Sequence, residues 1–372
     1  MLFAQVAFVS LAGFLISHVQ ATPPNTTYLS YARLVAYAMD SNYLDRKSGI
    51  YENEWWNSAN DLTALGDLAI IDPTFETTAR PILHTAFDKG PASQGISSFE
   101  NAWYDDEGWW ALCWINMYDL TRDPMYLDEA ESIFQDMADA WGTSCGDGIW
   151  WDRAQTYIAS ISNELFLSVA AHLANRVKNS DKKGSYINWA MKEVDWFNDA
   201  GLINEYGDVI DGIHKEGCLR NHTEVYTYNQ GVILGGLVEL YKATKNDTLL
   251  PQAQSIADSA MKNLTNSDGI LIEPATDDMG AAHAQFKGIF IRNLQMLHAT
   301  APAPRYADFI RHQANSIINE AMDHQTYLIA PYWEGPAKDP NMGAQGSALD
   351  ALVAAASLAS LREDAIPPPP AD

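Results

Sequence analysis

Residues 103–110 read WYDDEGWW, setting Asp105, Asp106 and Glu107 among Trp103, Tyr104, Trp109 and Trp110. Two adjacent carboxyl groups can divide acid and base work when burial and mutual repulsion keep one protonated while the other stays ionised. Indole faces beside them would suit a ligand that offers C–H surfaces, as a sugar ring does. The same string also reads as an ordinary acidic helix start, with an aspartate at the N-cap and acids in the first turn. These eight residues alone leave both readings open. Consecutive side chains in mid-helix diverge by about 100°, so the catalytic reading places the pair at a loop-to-helix junction. There, Cα atoms about 3.8 Å apart can send their side chains to two sides of one bond. Glu107 is read as a first-turn or supporting residue, and as the first substitute if Asp106 is not the second acid.

Tryptophan recurs in pairs that open apolar stretches or precede them: Trp55-Trp56, Trp109-Trp110 and Trp150-Trp151. One ring of each pair is expected to pack inward and the other to line a cleft; Trp56, Trp109 and Trp151 are the cleft-facing choices. Asn163, Asn229, Gln230 and Lys287 fall at the starts of apolar segments and are candidate hydroxyl-binding groups, with capping and inter-helix bonding as their structural alternative. A second acidic pair, Asp277-Asp278, lacks neighbouring indoles and reads as a capping loop. No CxxC or HExxH string occurs and the histidines are scattered, so no metal or other cofactor is expected.

The elements that must hold these residues repeat. Densely apolar segments begin at WWNSANDLTALGDLA, DEGWWALCWINMYDL, SNELFLSVAAHLANRV, YNQGVILGGLVELYKAT, QFKGIFIRNLQMLHAT and AQGSALDALVAAASLAS, spaced by roughly 50 to 70 residues, the scale of a helix-hairpin array. Amphipathic stretches such as PMYLDEAESIFQDMADAW and TLLPQAQSIADSAMKNL lie between them, with apolar positions three and four apart. Including YLSYARLVAYAM and the stretch after Pro73, the tally is six inner and six outer helices, an all-α (α/α)6 barrel. The N-termini of the inner helices then gather at one end, where free N–H groups favour carboxylates. WYDDEGWW falls at that end.

Asp and Glu number 48 against 23 Lys and Arg, a formal charge of −25, which repels phosphate backbones and anionic membrane surfaces and favours a neutral ligand. Residues 1–21 form an apolar run ending Val19-Gln20-Ala21, read as a secretory signal peptide. Residues 22–362 are expected to be one catalytic domain and residues 363–372 a proline-rich tail with no anchor signal. Asn25, Asn221, Asn246 and Asn263 are Asn-x-Ser/Thr glycosylation acceptors. Of three cysteines, Cys113 lies in an apolar segment, whereas Cys145 and Cys218 lie in glycine-containing loops; in an oxidising compartment those two are expected to pair. A secreted, monomeric protein is expected.

WYDDEGWWALCWINMYDLT, GDGIWW, SNELFL, DGI at residues 211–213, YNQGVILGGL, FKGIFIRNL and GSALDAL, in this order, resemble glycoside hydrolase family 76, the endo-α-1,6-mannanases and their fungal cell-wall relatives. The resemblance implies the same (α/α)6 fold and retaining cleavage or transfer of α-1,6-linked mannose. It further implies that Asp105 is the nucleophile, Asp106 the acid/base and Asp211 a residue of the glycone pocket, for which an Asp-Gly turn is the alternative. Retaining chemistry needs two carboxyl groups about 5 Å apart. One departure stands out: Ile158 and Ala159 in YIASISNEL replace the Lys-Asn that the family commonly carries there. The leading expectation is a secreted endo-α-1,6-mannanase acting on mannan. The alternatives are a cell-wall transglycosidase acting on a mannose-containing glycan and a non-catalytic mannan-binding protein. A uronyl hydrolase would want basic residues for its substrate's carboxylate, which this acidic chain does not favour.

Overall fold

In a computed structural model, the chain is described for residues 24–273 and 279–358. The leader, the Asp277-Asp278 pair and the proline-rich tail lie outside the described residues, as does the Asn25 side chain. Twelve helices follow in order. The even-numbered ones are α2 (Trp55–Ile71), α4 (Tyr104–Thr121), α6 (Ser160–Arg176), α8 (Thr227–Thr244), α10 (Ala281–Thr300) and α12 (Met342–Ser357). The odd-numbered ones are α1 (Pro24–Asn42), α3 (Glu76–Ser93), α5 (Pro124–Asp139), α7 (Ser180–Asp199), α9 (Leu249–Asn263) and α11 (Pro304–Ser316). Each even helix packs on the next, and α12 returns to pack on α2, closing an inner ring that the odd helices surround. This is an (α/α)6 barrel, and all twelve helices fall where the periodicity puts them.

Burial follows composition. In α6 nearly every side chain from Ser160 to Ala174 is buried, whereas α9 buries Ala253, Ile256, Ala257 and Ala260 along a single stripe, as expected for a helix with one face to water. Small residues let the inner helices approach closely. A Cβ at Gly108 would stand 2.7 Å from Leu165 Cβ, and one at Gly288 would stand 2.5 Å from Ser347 Cα. Among the described residues, strands are confined to two small sheets, β1 (Leu44–Asp45) with β2 (Ile50–Tyr51), and β3 (Tyr157–Ala159), β4 (Gly212–His214) and β5 (Leu219–Arg220) in the order β3-β4-β5. Two or three residues are too few to declare a period of two in sequence. The second sheet matters for the site, because pairing of Ala159 with Gly212 and Tyr157 with His214 ties the start of α6 to the segment carrying Asp211.

Cys145 and Cys218 form a disulfide with Cα atoms 5.5 Å apart, and Cys113 is a buried free thiol. The glycosylation acceptors among the described residues differ in their surroundings. Asn221 is buried and its Nδ2 donates to Glu224 Oε2 at 2.8 Å. Asn263 Nδ2 donates to both carboxylate oxygens of Asp208 and to Ser259 Oγ. A glycan on either nitrogen would replace one of its two N–H hydrogens and leave the other to donate. Asn246 instead turns its Oδ1 to Thr248.

Candidate active site

Helix α4 begins at Tyr104 with Trp103 as its N-cap, and no side chain caps it. The contrast with α5 is direct, since Asp123 there caps by accepting from Met125 N. Asp105 and Asp106 therefore lie inside the first turn of α4, one step further into the helix than the loop junction expected for them. The helix start explains why they can sit there. Free backbone N–H groups at residues 105 and 106 stabilise the Asp105 carboxylate, in line with the positive end of the helix dipole.

Asp105 opens into a cavity of about 350 Å³ lined by Trp56, Trp109, Trp151, Tyr157, Ala159, Ile161, Asp211, Tyr226, Tyr228, His283 and Phe286. The contributors come from the N-terminal ends of α2, α4, α6, α8 and α10 and from the loops before them. Each tryptophan pair divides at the cavity: Trp56, Trp109 and Trp151 line it, Trp109 as an otherwise buried ring, while Trp55, Trp110 and Trp150 are buried away from it. Trp55 and Trp110 pack with Phe99 beneath it. The indole N–H of Trp151 donates to Asp105 Oδ2 at 3.0 Å, and Asp105 Oδ1 is buried without a partner. Asp106 turns to the preceding loop, where Asn101 Nδ2 donates to its Oδ2 at 2.6 Å; it flanks the cavity without lining it.

Electrostatics separate the two acids. Burial raises Asp105 to about 6, with the Trp151 N–H and backbone donors pulling down and Asp211 pushing up. Burial and the charge of Asp105 raise Asp106 well above the usual carboxylate range, against the bond from Asn101. Asp105 is thus the acid that ionises first, and Asp106 is the one that keeps its proton. Asp211 is also raised by burial, while the Tyr157 hydroxyl donates to its Oδ2 at 2.9 Å and favours the ionised form. Among the described residues no Lys or Arg bonds to Asp105, Asp106 or Asp211.

Three expected ligand-binding side chains have other work. Asn163 is fully buried, takes the Ile149 N–H on Oδ1 and donates Nδ2 to the carbonyls of Ile149 and Ala159. Gln230 does the same for Val209, accepting its N–H and donating to its carbonyl. Gln345 on α12 makes a related clamp, accepting the Ile329 N–H and donating to the carbonyls of Val35 and Tyr327. An amide in the first turn of an inner helix clamps the loop before it, and two of these loops carry Trp151 and Asp211. Lys287 is buried, donates to the Pro331 carbonyl at 2.7 Å and sits 4.9 Å over the Trp333 ring; it is a strut, and burial lowers its pKa to about 8. Asn229 is buried beside Asp211, close enough to favour the ionised carboxylate. None of these four lines the cavity.

Sequence reasoning missed the opposite wall. Tyr228 stacks on Phe286 at 3.9 Å between centroids, and Tyr226 and His283 extend that wall. The alternating tyrosines of VYTYNQ at the start of α8 were the available signal. Beneath the floor, Glu164 is fully buried with neither carboxyl oxygen partnered, and burial and Asp211 raise it well above the usual range. Of the two residues that depart from the family pattern, Ala159 lines the cavity and Ile158 is buried.

A closed helical barrel whose open end holds unpaired carboxyl groups between facing aromatic walls defines the class: a carbohydrate-processing (α/α)6 protein. The sequence model of glycosyl hydrolase family 76 matches residues 25–364, and the chain belongs to that family of glycoside hydrolases. A Schizosaccharomyces pombe relative, C1198.07c, is 28% identical over 283 residues, covering 70% of this chain and 62% of its own length. The Saccharomyces cerevisiae mannan endo-1,6-alpha-mannosidase DFG5 is 26% identical over 273 residues, covering 67% of this chain and 58% of its own. The match thus spans about three fifths of each relative. Among solved structures, the Listeria innocua protein Lin0763 superposes with a TM-score of 0.80 at 25% identity, covering 90% of this chain and 98% of its own. An inactive variant of a Salegentibacter α-1,6-mannanase, two consecutive aspartates replaced by alanine and in complex with an α-1,6-linked mannotetraose, gives 0.79 at 22%, covering 89% and 99%.

Proposed function

We propose that this protein is a secreted, retaining endo-α-1,6-mannanase. The observation that carries the reading is Asp105 at the open end of the barrel between aromatic walls, with Asp106 beside it and neither acid bonded to a Lys or Arg among the described residues. A neutral sugar needs no cationic partner, and its C–H faces match the rings of Trp56, Trp109, Trp151 and Phe286. DFG5 bears the name of a mannan endo-1,6-alpha-mannosidase, and the Salegentibacter enzyme is inactive in the variant lacking two consecutive aspartates; both support the assignment here.

In the first half of the reaction Asp105, ionised, bonds to the anomeric carbon as the glycosidic C–O bond breaks, and the proton of Asp106 goes to the leaving oxygen. In the second half Asp106 takes a proton from water. The water oxygen then bonds to the anomeric carbon and the bond to Asp105 breaks. The apolar leader and the Cys145–Cys218 disulfide support action outside the cell. The test is to incubate the purified protein with unbranched α-1,6-mannan oligosaccharides at mildly acidic pH and follow the products by NMR. Shorter mannosides released as the α anomer are the expected result. Release of the β anomer overturns retention, products longer than the starting chain move the assignment to transglycosylation, and binding without turnover leaves a mannan-binding protein.

A further inference from the structure

The hydrogen bonds behind Asp106 form a closed set, and Asn101 is at its centre. All four of its polar groups are engaged. Its N–H donates to Glu107 Oε1 at 3.0 Å, its carbonyl accepts from Arg153 Nε, its Oδ1 accepts the Trp103 N–H at 2.8 Å, and its Nδ2 donates to Asp106 Oδ2 at 2.6 Å. A backbone N–H can only donate, so the oxygen end of the Asn101 amide must face Trp103 and the amide cannot be turned over. Nδ2 therefore always presents a hydrogen to Asp106 Oδ2. The loop itself is fixed from behind. Arg153 bridges the Asn101 carbonyl, the fully buried Glu107 carboxyl and Asp136 on α5, with its guanidinium 4.8 Å over the Tyr104 ring.

We propose that Asn101 is a positioning residue for the reaction, holding Asp106 Oδ2 as a permanent acceptor so that Oδ1 is the oxygen that carries and delivers the transferable proton. This rests on the assignment of Asp106 as the acid/base. A proton on Oδ2 would point at the Asn101 N–H, whereas Oδ1 has no partner among the described residues. Asp105, which lines the cavity, is arranged the same way: Oδ2 is tied to the Trp151 indole and Oδ1 is buried without a partner. Each acid thus has one oxygen tied by a side-chain donor and one without a side-chain partner. Among charged neighbours, Asp105 on the same helix is the one that acts on Asp106, in the direction that keeps it protonated. Glu107 of α4 and Asp136 of α5 are engaged by Arg153. Asn101 pulls the other way, favouring the ionised Asp106 that must act as base in the second half-reaction.

Two variants test this. Asn101→Ala removes the donor, and Asn101→Asp removes it while keeping the side-chain shape and the acceptor for Trp103. The Asp106 titration is read directly by 13C NMR of protein labelled at its aspartate carboxyls, with Asp106→Asn assigning the resonance. The pH profile of kcat/KM on mannan oligosaccharides is read alongside. The expected result is a rise of about one pH unit in the Asp106 titration for Asn101→Ala, a larger rise for Asn101→Asp, and an alkaline limb that moves with each. An unchanged titration in both folded variants overturns the proposal, as does a titration that moves while the alkaline limb stays. The NMR titration needs no substrate, so a wild-type protein inactive on mannan would fail the functional reading separately from this one.

Discussion

The barrel has a mouth at each end, and both are acidic. At the upper mouth Asp105, Asp106 and Asp211 meet only neutral donors, namely an indole N–H, an amide and a phenol. At the lower mouth, where the inner helices end, Arg176 bridges Asp119 and Glu239, and Lys242 adds a second contact to Glu239. The lower cavity is the larger, about 390 Å³, yet no Phe, Tyr or Trp among the described residues lines it. Volume does not distinguish the two; pairing does. Burial alone would raise Glu239, but His172, Arg176 and Lys242 hold it well below the usual carboxylate range. The upper acids lack such cations and are raised. In the wall of the same lower cavity, Asp67 and Asp350 are pushed to about 6 and about 7 by burial in spite of Arg292, so a cation restores ordinary acidity only where desolvation is incomplete. Uncompensated carboxyl groups cost stability and supply chemistry; compensated ones stabilise and are inert.

The sharpest test replaces the upper acids. Asp105→Asn and Asp106→Asn should each lower turnover on mannan oligosaccharides by about 1,000-fold or more while the helical circular dichroism stays unchanged. Asp105→Asn should also stabilise the fold at pH 7 by about 2 kcal/mol, because a carboxyl raised to about 6 is neutralised without loss of shape. Full activity in either variant would erase the distinction between the two mouths. The converse change at the lower mouth is Arg176→Met, which strands Asp119 and Glu239. It should cost about 3 kcal/mol or more in denaturant unfolding and leave kcat on mannan oligosaccharides at the wild-type value.

A third measurement addresses both ends together through pH. Asp40, Asp67 and Asp105 are raised to about 6 and Asp350 to about 7, all by burial first, with Asp61, Asp106 and Glu164 raised as well. For a group whose folded pKa lies above its unfolded value, the stabilising contribution is complete below the unfolded pKa and is lost as pH rises through the folded one. Melting temperature should therefore fall as pH climbs from about 4 to about 7. Glu164→Gln should flatten part of that slope, the smallest effect of the set. A melting temperature that rises across this window would mean that the buried carboxyl groups are compensated after all.

Much of this could be read in the chain. Nearly continuous apolar runs against three-four stripes separated the even from the odd helices, and the order WYDDEGWW located the acids. What could not be read were jobs decided across the ring. Asn163, Gln230 and Lys287 stand at the right ends of the right helices, but whether an amide meets a ligand or clamps a loop depends on a backbone 14 or 21 residues away. The wall of Tyr228 on Phe286 joins residues from different helices, and no local pattern connects them.

Periodicity and adjacency are properties of neighbouring residues, so the succession of inner and outer helices and the covalent adjacency of Asp105 and Asp106 follow from chain order alone. Only the folded ring settles which acid lines the cavity, which of its oxygens is tied, which tryptophan of each pair faces it, and that no Lys or Arg among the described residues bonds to the acids. Those depend on distances between helices far apart in the chain, set when the ring closes α12 onto α2 and water is expelled from around the carboxyl groups.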